Sequence, residues 1–396
     1  MRRPWAAAAP AVFMLAWGGN HFTPLLHLYE TLGGYAAWQA NLLLGMYVFG
    51  LVPGLLIASA LSDHFGRRPV LVAGLAASLA ASAILAAGLA SYPLLCAGRV
   101  FAGIAVGIAM SVGSSWIKEL SADPWEPGAE ATLGARRSSL ILTLGFAIGA
   151  GVSGVIAQWA PLPSVLPYVV HIVLTILAAL ALLRVPETLP RGARATGAWW
   201  RDLAIPSAGQ RAFWRIVVPA APWVFGAAGI AYAVLPSILE HRLGDHATIY
   251  ATLLTVVGLG VGALAQSAVP WVNRITRGRA LIVGLSGVIL GLVGASAGAV
   301  LDSPAYAVAV AAVLGGSYGI SVVSGLVIAQ SLATPRDLAG ITGLFYSLTY
   351  VGFLLPTVLA AIAPEIPYAW GLAGLAVICA GCLATVATGF SRRTSS

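Results

Sequence analysis

Charge is what this sequence has least of. Only 9% of its 396 residues are Asp, Glu, Lys or Arg, while 59% are hydrophobic. A soluble domain carries roughly 25% charged residues, so a water-soluble globule is excluded. Carboxylates are scarcer than bases, 13 against 21, and none falls clearly in the middle of an apolar stretch. Lysine occurs once, as Lys118 in a polar loop, which excludes a retinal photoreceptor that needs a lysine within a span. Cysteine is rare: Cys96, Cys379 and Cys382 all lie in apolar stretches. The pair Cys379 and Cys382 offers two ligands without a companion His or Cys loop, so neither a metal nor redox chemistry is expected. HExxH, GxSxG and Asp-rich metal motifs are lacking, which leaves a membrane enzyme without its catalytic cluster and the chain without an expected cofactor. Alternating strands of ~10 residues are also missing, which excludes a β-barrel. The chain carries no large soluble signalling domain of the kind a sensor would need.

What the sequence has is apolar runs of about 20 residues recurring from end to end, each long enough to cross a bilayer. Twelve spans are read at 7–29, 36–61, 69–90, 93–116, 139–160, 164–184, 215–238, 247–270, 279–300, 304–330, 338–361 and 367–389. The expected fold is therefore all-α, a polytopic protein of 12 transmembrane helices in a lipid bilayer. Its 46 glycines and 23 prolines are compatible with this, because neighbouring helices re-satisfy the backbone. With the N-terminus in the cytoplasm, every Lys and Arg except Arg99 and Arg242 falls in a cytoplasmic segment or tail. That asymmetry sets orientation, with both termini cytoplasmic. It also accounts for the net charge of +8 without a nucleic-acid partner. The N-terminal MRRPWAAAAPAVFMLAWGG shows no convincing cleavage site and stays apolar to Tyr29, so it reads as a signal-anchor first span. Richness in Ala, Gly and Arg with one Lys points to a GC-rich bacterial genome, and hence to a bacterial cytoplasmic (inner) membrane.

The longest polar stretch, Arg184 to Arg215, divides the spans six and six. The expected domains are an N-terminal six-helix bundle (1–185), a cytoplasmic central loop (186–214) and a C-terminal six-helix bundle (215–396). Trp199, Trp200 and Arg201 in the loop fit a short amphipathic segment at the interface. Pro24, Glu30, Leu32 and Gly33 in the first half are answered by Pro236, Glu240, Leu243 and Gly244 in the second. Such duplication is the trace of a transporter built from two pseudo-symmetric halves, with its site near the midplane. This architecture needs no second copy, so a monomer is expected.

One loop is more informative than the rest. Ser59 to Leu71 reads SALSDHFGRRPVL between two apolar runs. Gly66 permits a sharp turn, Arg67 and Arg68 hold the loop on the cytoplasmic side, and Asp63 can pair with an arginine or cap a helix. The segment resembles the loop between spans 2 and 3 of the major facilitator superfamily, with the pattern G-x-L-A-D-R-x-G-R-K-x-x-L. Leu61, Asp63, Gly66, Arg67, Arg68 (for Lys) and Leu71 match, while Ser59, Ser62 and His64 depart from it. The resemblance implies that Asp63, Gly66, Arg67 and Arg68 form a conformational switch. It also implies that Asp63 meets the start of span 11, near Asp337 to Gly340.

Within the spans, Arg99 is the sharpest candidate. Arg99, Gly103 and Gly107 resemble the family's span 4 pattern R-x-x-x-G-x-x-x-A/G, in which the Arg is tied to proton coupling. A charged side chain at membrane depth usually faces a cavity or a partner, and the alternative is an arginine snorkelling outward. His21 is the best mid-span group titrating near neutral pH, against a plain interhelical hydrogen bond. Glu30 and Glu240, at equivalent span ends, are either proton relays or solvated carboxylates. The expected substrate cavity holds Trp17, Asn20 and His21 of span 1, Trp223 and Tyr232 of span 7, and Ser317 and Tyr318 of span 10. Gln330 of span 10 is counted with the lining groups, and Gln39, Asn41, Gln158, Tyr346 and Tyr350 stand behind them. Span 5 carries Gly145, Gly149, Gly151 and Gly154. It looks like a worn antiporter signature, with Ala150 where a proline belongs. VPETL at 185–189 recurs in both the efflux and the sugar-uptake branches. The expectation is a secondary transporter exporting small organic compounds, such as drugs or secondary metabolites, against protons. The alternative is an uptake symporter for a sugar or other small metabolite.

Overall fold

In the computed structural model, residues 3–130, 133–190, 192, 205–334 and 337–393 are described, and among them there is no strand. Arg2, Arg191, Arg194, Arg336 and the Trp199–Arg201 segment lie outside the described residues. The helices are α1 (Pro4–Asn20), α2 (Leu26–Thr31), α3 (Ala37–Phe65), α4 (Arg67–Ala87), α5 (Tyr92–Ile108) and α6 (Ser114–Leu120). They continue with α7 (Leu133–Trp159), α8 (Leu166–Leu182), α9 (Val218–Gly229), α10 (Leu235–Leu243), α11 (Ala247–Ile275) and α12 (Ala280–Leu301). The last are α13 (Pro304–Leu332), α14 (Leu338–Tyr350), α15 (Leu355–Ile362) and α16 (Tyr368–Arg393). Among the described residues, nine helical stretches are long and apolar enough to cross a membrane, and Leu166–Leu182 is a shorter apolar helix. One of the nine, Phe213–Ile275, has 63 residues, about 95 Å at 1.5 Å per residue and some three bilayer thicknesses. It is interrupted at Gly244, whose φ of +47° is open to glycine at little cost.

The first apolar run is not one helix over 7–29. Helix α1 stops at Asn20, a tight turn covers Thr23–Leu25, and α2 begins at Leu26. The break has a covalent cause: Pro24 has no N–H to offer the carbonyl four residues back, which is that of Asn20. Asn20 fixes the break further. Its Nδ2 donates to Phe146 O at 3.0 Å, and its Oδ1 accepts from Thr23 Oγ1 at 2.8 Å. The corresponding Pro236 follows a widened π-turn at Ile230–Val234 instead of a break.

The chain forms two compact units. The first comprises Met1–Gly33 with Met46–Ala204, and the second Gly34–Gly45 with Ile205–Ser396. In the first, α1, α4, α5, α6 and α8 surround a core that includes Leu15, Leu71, Leu75, Val112, Trp116 and Leu182. Helices α3 and α5 meet backbone to backbone. A Cβ on Gly103 would lie 2.0 Å from the Tyr47 carbonyl oxygen, and one on Gly107 2.6 Å from that of Leu51. Gly145 and Gly149 seat α7 on α1 in the same way, against Phe13 O at 2.6 Å and Trp17 Cα at 2.8 Å. The worn span 5 glycine motif is thus a packing seam, as small-xxx-small spacing requires.

The second unit repeats the first seam. A Cβ on Gly315 of α13 would lie 2.2 Å from Gly258 O of α11, and one on Gly319 2.1 Å from Gly262 O. Its core runs along Leu281, Leu285, Val288 and Leu292 of α12 and Leu314 of α13. The start of α14 is tied to Pro206–Gly209: buried Asp337 accepts from Ser207 N at 2.8 Å, Thr334 N at 2.8 Å and Thr334 Oγ1 at 2.6 Å. Those donors, Thr334 first and Ser207 next, hold the Asp337 carboxyl well below the usual carboxylate range.

Two outcomes follow for stability. Gly103→Ala should lower the melting temperature of the purified protein by several degrees, since overpacking costs ~1–3 kcal/mol. Gly381→Ala, where nothing lies within 4 Å, should leave it unchanged. Because the folded-state carboxyl of Asp337 titrates below its unfolded value, its contribution is present above about pH 4 and is lost as pH falls further. Asp337→Asn should therefore melt lower than wild type at pH 7, and melting scans should show the gap shrinking at pH 3.

Candidate functional site

The loop between α3 and α4 is organised around Arg67. Gly66 turns the chain at φ +104° immediately before α4. The Arg67 guanidinium donates to Ser62 Oγ at 2.7 Å, to Asp63 Oδ1 at 2.5 Å and, through Nε and Nη2, to Glu119 Oε1 at 3.1 and 3.0 Å. Asp63 is 51% exposed and Arg67 only 13%, so the exposed Asp63 pair is the weaker tie and the forked contact with Glu119 the stronger. Glu119, at the end of α6, also accepts the Thr188 hydroxyl. Glu187 accepts the backbone N–H groups of Arg67 and Arg68, each at 3.0 Å. A carboxylate there satisfies the free donors at the start of α4 and meets the positive end of its dipole. Arg68 reaches Leu183 O at 3.0 Å. The switch residues read from the sequence are therefore joined, and Glu119, Thr188 and Glu187 complete their network. Their signal was the recurring VPETL segment and an acidic residue closing span 4. Asp63 pairs with Arg67, and Asp337 is bonded to Ser207 and Thr334.

Arg99 does not snorkel; it is 1% exposed. Its guanidinium lies between two rings, 4.3 Å from the Phe22 centroid and 4.8 Å from that of Tyr47. Nη1 donates to Gly19 O at 3.4 Å. Gly19 is in the last turn of α1, whose partial negative charge favours a cation. A mid-span arginine costs about 2.5–3.5 kcal/mol even on the lenient scale. Two desolvated cation–π contacts return about 2 kcal/mol each, so the rings are enough to offset that cost.

Beside it stands a buried polar group that the sequence revealed only in part. His21 is 0% exposed, and neither ring nitrogen has a hydrogen-bond partner. Its ring meets Tyr168 and His171 of α8 edge-on, centroids 4.8 Å away in both cases. Tyr168 and Tyr29 share a hydroxyl hydrogen bond of 2.5 Å. His171 Nε2 is 2.9 Å from the Met14 carbonyl, which can only accept, so Nε2 carries the proton and neutral Nδ1 accepts from Ser82 Oγ at 2.8 Å. Thr175 Oγ1 lies 3.2 Å from the same Nε2. Gly18 makes room for this ring, since a Cβ there would lie 2.9 Å from His171 Nε2. Tyr168 and His171 were missed because α8 is short and its polar residues are scattered. Their spacing of three places them on one helical face.

The other candidates divide. Trp17 packs on Phe13 and Gly149, and Asn20 is spent on the α1 break, so neither joins Arg99. In the second unit, Tyr232 and Tyr318 gather around Phe225. Phe225 stacks on Tyr350 at 4.0 Å and 19°, with Tyr318 at 5.3 Å and Phe353 at 5.2 Å, while Tyr232 meets Phe353 at 6.2 Å. Gly352 lets this turn close on α9, because a Cβ there would lie 2.1 Å from Pro222 O. Ser317 bonds back to Val313 O and faces Gly287 of α12, and Trp223 lies in the apolar core. Glu30 in α2 and Glu240 in α10 are each half-buried. Cys379 and Cys382 are free thiols. Within either unit taken by itself, no three His, Cys, Asp or Glu side chains of the described residues converge on a metal-sized point.

These arrangements match known proteins at the level of fold. A model of the Major Facilitator Superfamily matches residues 8–357. Among curated proteins none matches the chain. A point variant of the nucleoside transporter NupG superimposes with a TM-score of 0.73 at 13% identity, over 98% of this chain and 100% of that one. The human organic anion transporter MFSD10 (TETRAN) gives 0.66 at 15% identity, covering 97% and 99%. The xylose transporter XylE from E. coli, in a partially occluded inward-open conformation, gives 0.68 at 15% identity, covering 96% and 95%. The chain belongs to the Major Facilitator Superfamily and is a multi-pass membrane transporter rather than an enzyme.

Proposed function

We propose that this protein exports small, weakly polar organic compounds in exchange for protons. The observation that carries the reading is the segregation of chemistry: Arg99 and two histidines are buried in the first unit, and a cluster of aromatic rings is buried in the second. A permanent cation beside imidazoles suits proton handling. Stacked rings with few polar groups suit a planar amphipathic substrate better than a sugar, whose hydroxyls need several fixed partners.

In this reading the two homologous halves expose the substrate site alternately to each side. The Arg67 network ties the cytoplasmic ends of the first unit's helices in one state and loosens in the other. The protein works as a monomer in a bacterial inner membrane with both termini cytoplasmic, as the Lys and Arg distribution favours. Asp63, Gly66, Arg67 and Arg68 form the switch, and Arg99 and His21 the coupling site. Glu30 and Glu240 act as relays at the outer ends. Trp17, Asn20, Trp223 and Ser317 take part by supporting the aromatic and polar groups.

Proteoliposomes containing the purified protein, acid inside, test this with ethidium, tetraphenylphosphonium, uridine and xylose while lumenal pH is followed. Proton efflux with the two lipophilic cations and none with xylose is expected; proton movement with xylose alone would favour the uptake symporter. Arg67→Lys keeps charge but loses the fork that reaches Ser62, Asp63 and Glu119 together. It should cut initial rates by roughly tenfold or more while the protein still purifies as a folded monomer. Asp63→Asn should likewise abolish transport without unfolding, and full transport by that variant would remove the switch from the account.

A further inference from the structure

Coupling requires a group that gains and loses a proton, and Arg99 cannot be that group: a guanidinium does not deprotonate in proteins. Among the described residues of the first unit, none of the buried polar and charged side chains is a carboxylate. The Tyr29 and Tyr168 hydroxyls are occupied with each other. Two imidazoles remain, on α8 and at the end of α1, and their circumstances differ. His171 has both nitrogens engaged, by Met14 O and Thr175 on one side and Ser82 on the other. His21 has both nitrogens unpartnered inside the protein.

We propose that His21 and His171 together form a single-proton site, with His21 the acceptor and His171 the positioning residue that makes its protonation conditional. This rests on the proton-coupled reading above and names the atoms that would carry it. The ligand is a proton because nothing larger fits. His21 is enclosed edge-on by Tyr168 and His171. No part of the His21 side chain is open to solvent. In binding, the acceptor nitrogen of neutral His21 uses its lone pair for a proton from water on one side of the membrane. In release, the N–H bond breaks and the proton passes to water on the other side. Full burial in the present conformation occludes the site between those two events.

The pair holds one proton, not two. The charged group acting on His21 is Arg99 of α5; Tyr168 of α8 touches the His21 ring, Tyr29 of α2 is bonded to Tyr168 and Tyr47 of α3 lies against Arg99, and these hydroxyls are ordinarily neutral at physiological pH. A second positive imidazole at ring-contact distance, next to a permanent guanidinium, meets like charges on both sides. Ser82 of α4 secures the arrangement by holding His171 through Nδ1.

The test uses the full-length protein, ring-labelled with nitrogen-15 at its six histidines, in lipid nanodiscs without substrate. Signals are assigned by their loss in His21→Gln and His171→Gln, and nitrogen shifts are followed from about pH 4 to about pH 9. The expected result is that these two rings take up one proton between them. Removing either should shift the titration of the other by roughly one pH unit or more, as for strongly coupled sites. Ser82→Ala, which keeps both rings, guards against misfolding of the glutamine variants, and it should shift the titration of the pair. Independent full protonation of each ring would overturn the proposal, as would no titration of either ring or no effect of removing one on the other. The readout needs no substrate. A coupled pair in a protein that moves no protons with any probe would sink the antiport reading alone. Proton flux that persists in His21→Gln would sink the pair.

Discussion

A charge at membrane depth has to be solvated by protein, and in this molecule Arg99 sets that requirement for the first unit. Its guanidinium cannot be neutralised by losing a proton, so the fold supplies two ring faces and a helix C-terminus instead. Meeting that need fixes several things together. Helix α1 must end near Gly19, which Pro24 and Asn20 ensure. Phe22 must sit in the break, and Tyr47 of α3 must lie opposite. Tyr47 can do so because Gly103 lets α5 pack directly on the α3 backbone. The cation, the broken helix and the glycine seam form one arrangement, and His21 follows directly from the same break.

The second unit uses the same seam for a different purpose. Gly258, Gly262, Gly315 and Gly319 bring α11 and α13 together as Gly50, Gly54, Gly103 and Gly107 bring α3 and α5 together. Yet where the first unit places an arginine and histidines, the second places Phe225, Tyr318, Tyr350 and Phe353. Duplication has kept the helix packing and let the buried chemistry diverge. The same holds at the loops. Arg67 is centred in a network with Glu119 and Glu187, while the matching loop in the second half, around Asn273 and Arg279, keeps only a turn in which Asn273 Oδ1 accepts from Ala280 N.

Most of the helices were legible because apolar length is a strong signal, and α3, α7, α11 and α13 begin or end within a few residues of the stretches read from the sequence. The first run misled because Pro24 breaks a helix whose hydropathy is continuous. The affiliation of Gly34–Gly45 with the second unit depends on packing that no composition records. Of the site, Arg99 and the 59–71 loop stood out because a lone charge or a charged turn between apolar runs is conspicuous. His171 and Tyr168 did not, since a polar residue in an apolar helix has no visible partner until helices are placed. For Trp223 and Ser317 the residue type suggested a lining role but gave no sign of the contacts they make, Trp223 in a buried apolar cluster and Ser317 on the Val313 carbonyl.

The account turns on Arg99 as a fixed cation whose planar face, and not merely its charge, is held between two rings. The most direct measurement compares Arg99→Lys with wild type in proteoliposomes, reading substrate exchange at equal pH and proton-driven accumulation in the same preparation. A lysine ammonium keeps the charge but lacks the planar surface that Phe22 and Tyr47 sandwich. The account predicts that exchange survives while accumulation against a gradient is lost. Accumulation by Arg99→Lys at the wild-type level would contradict it.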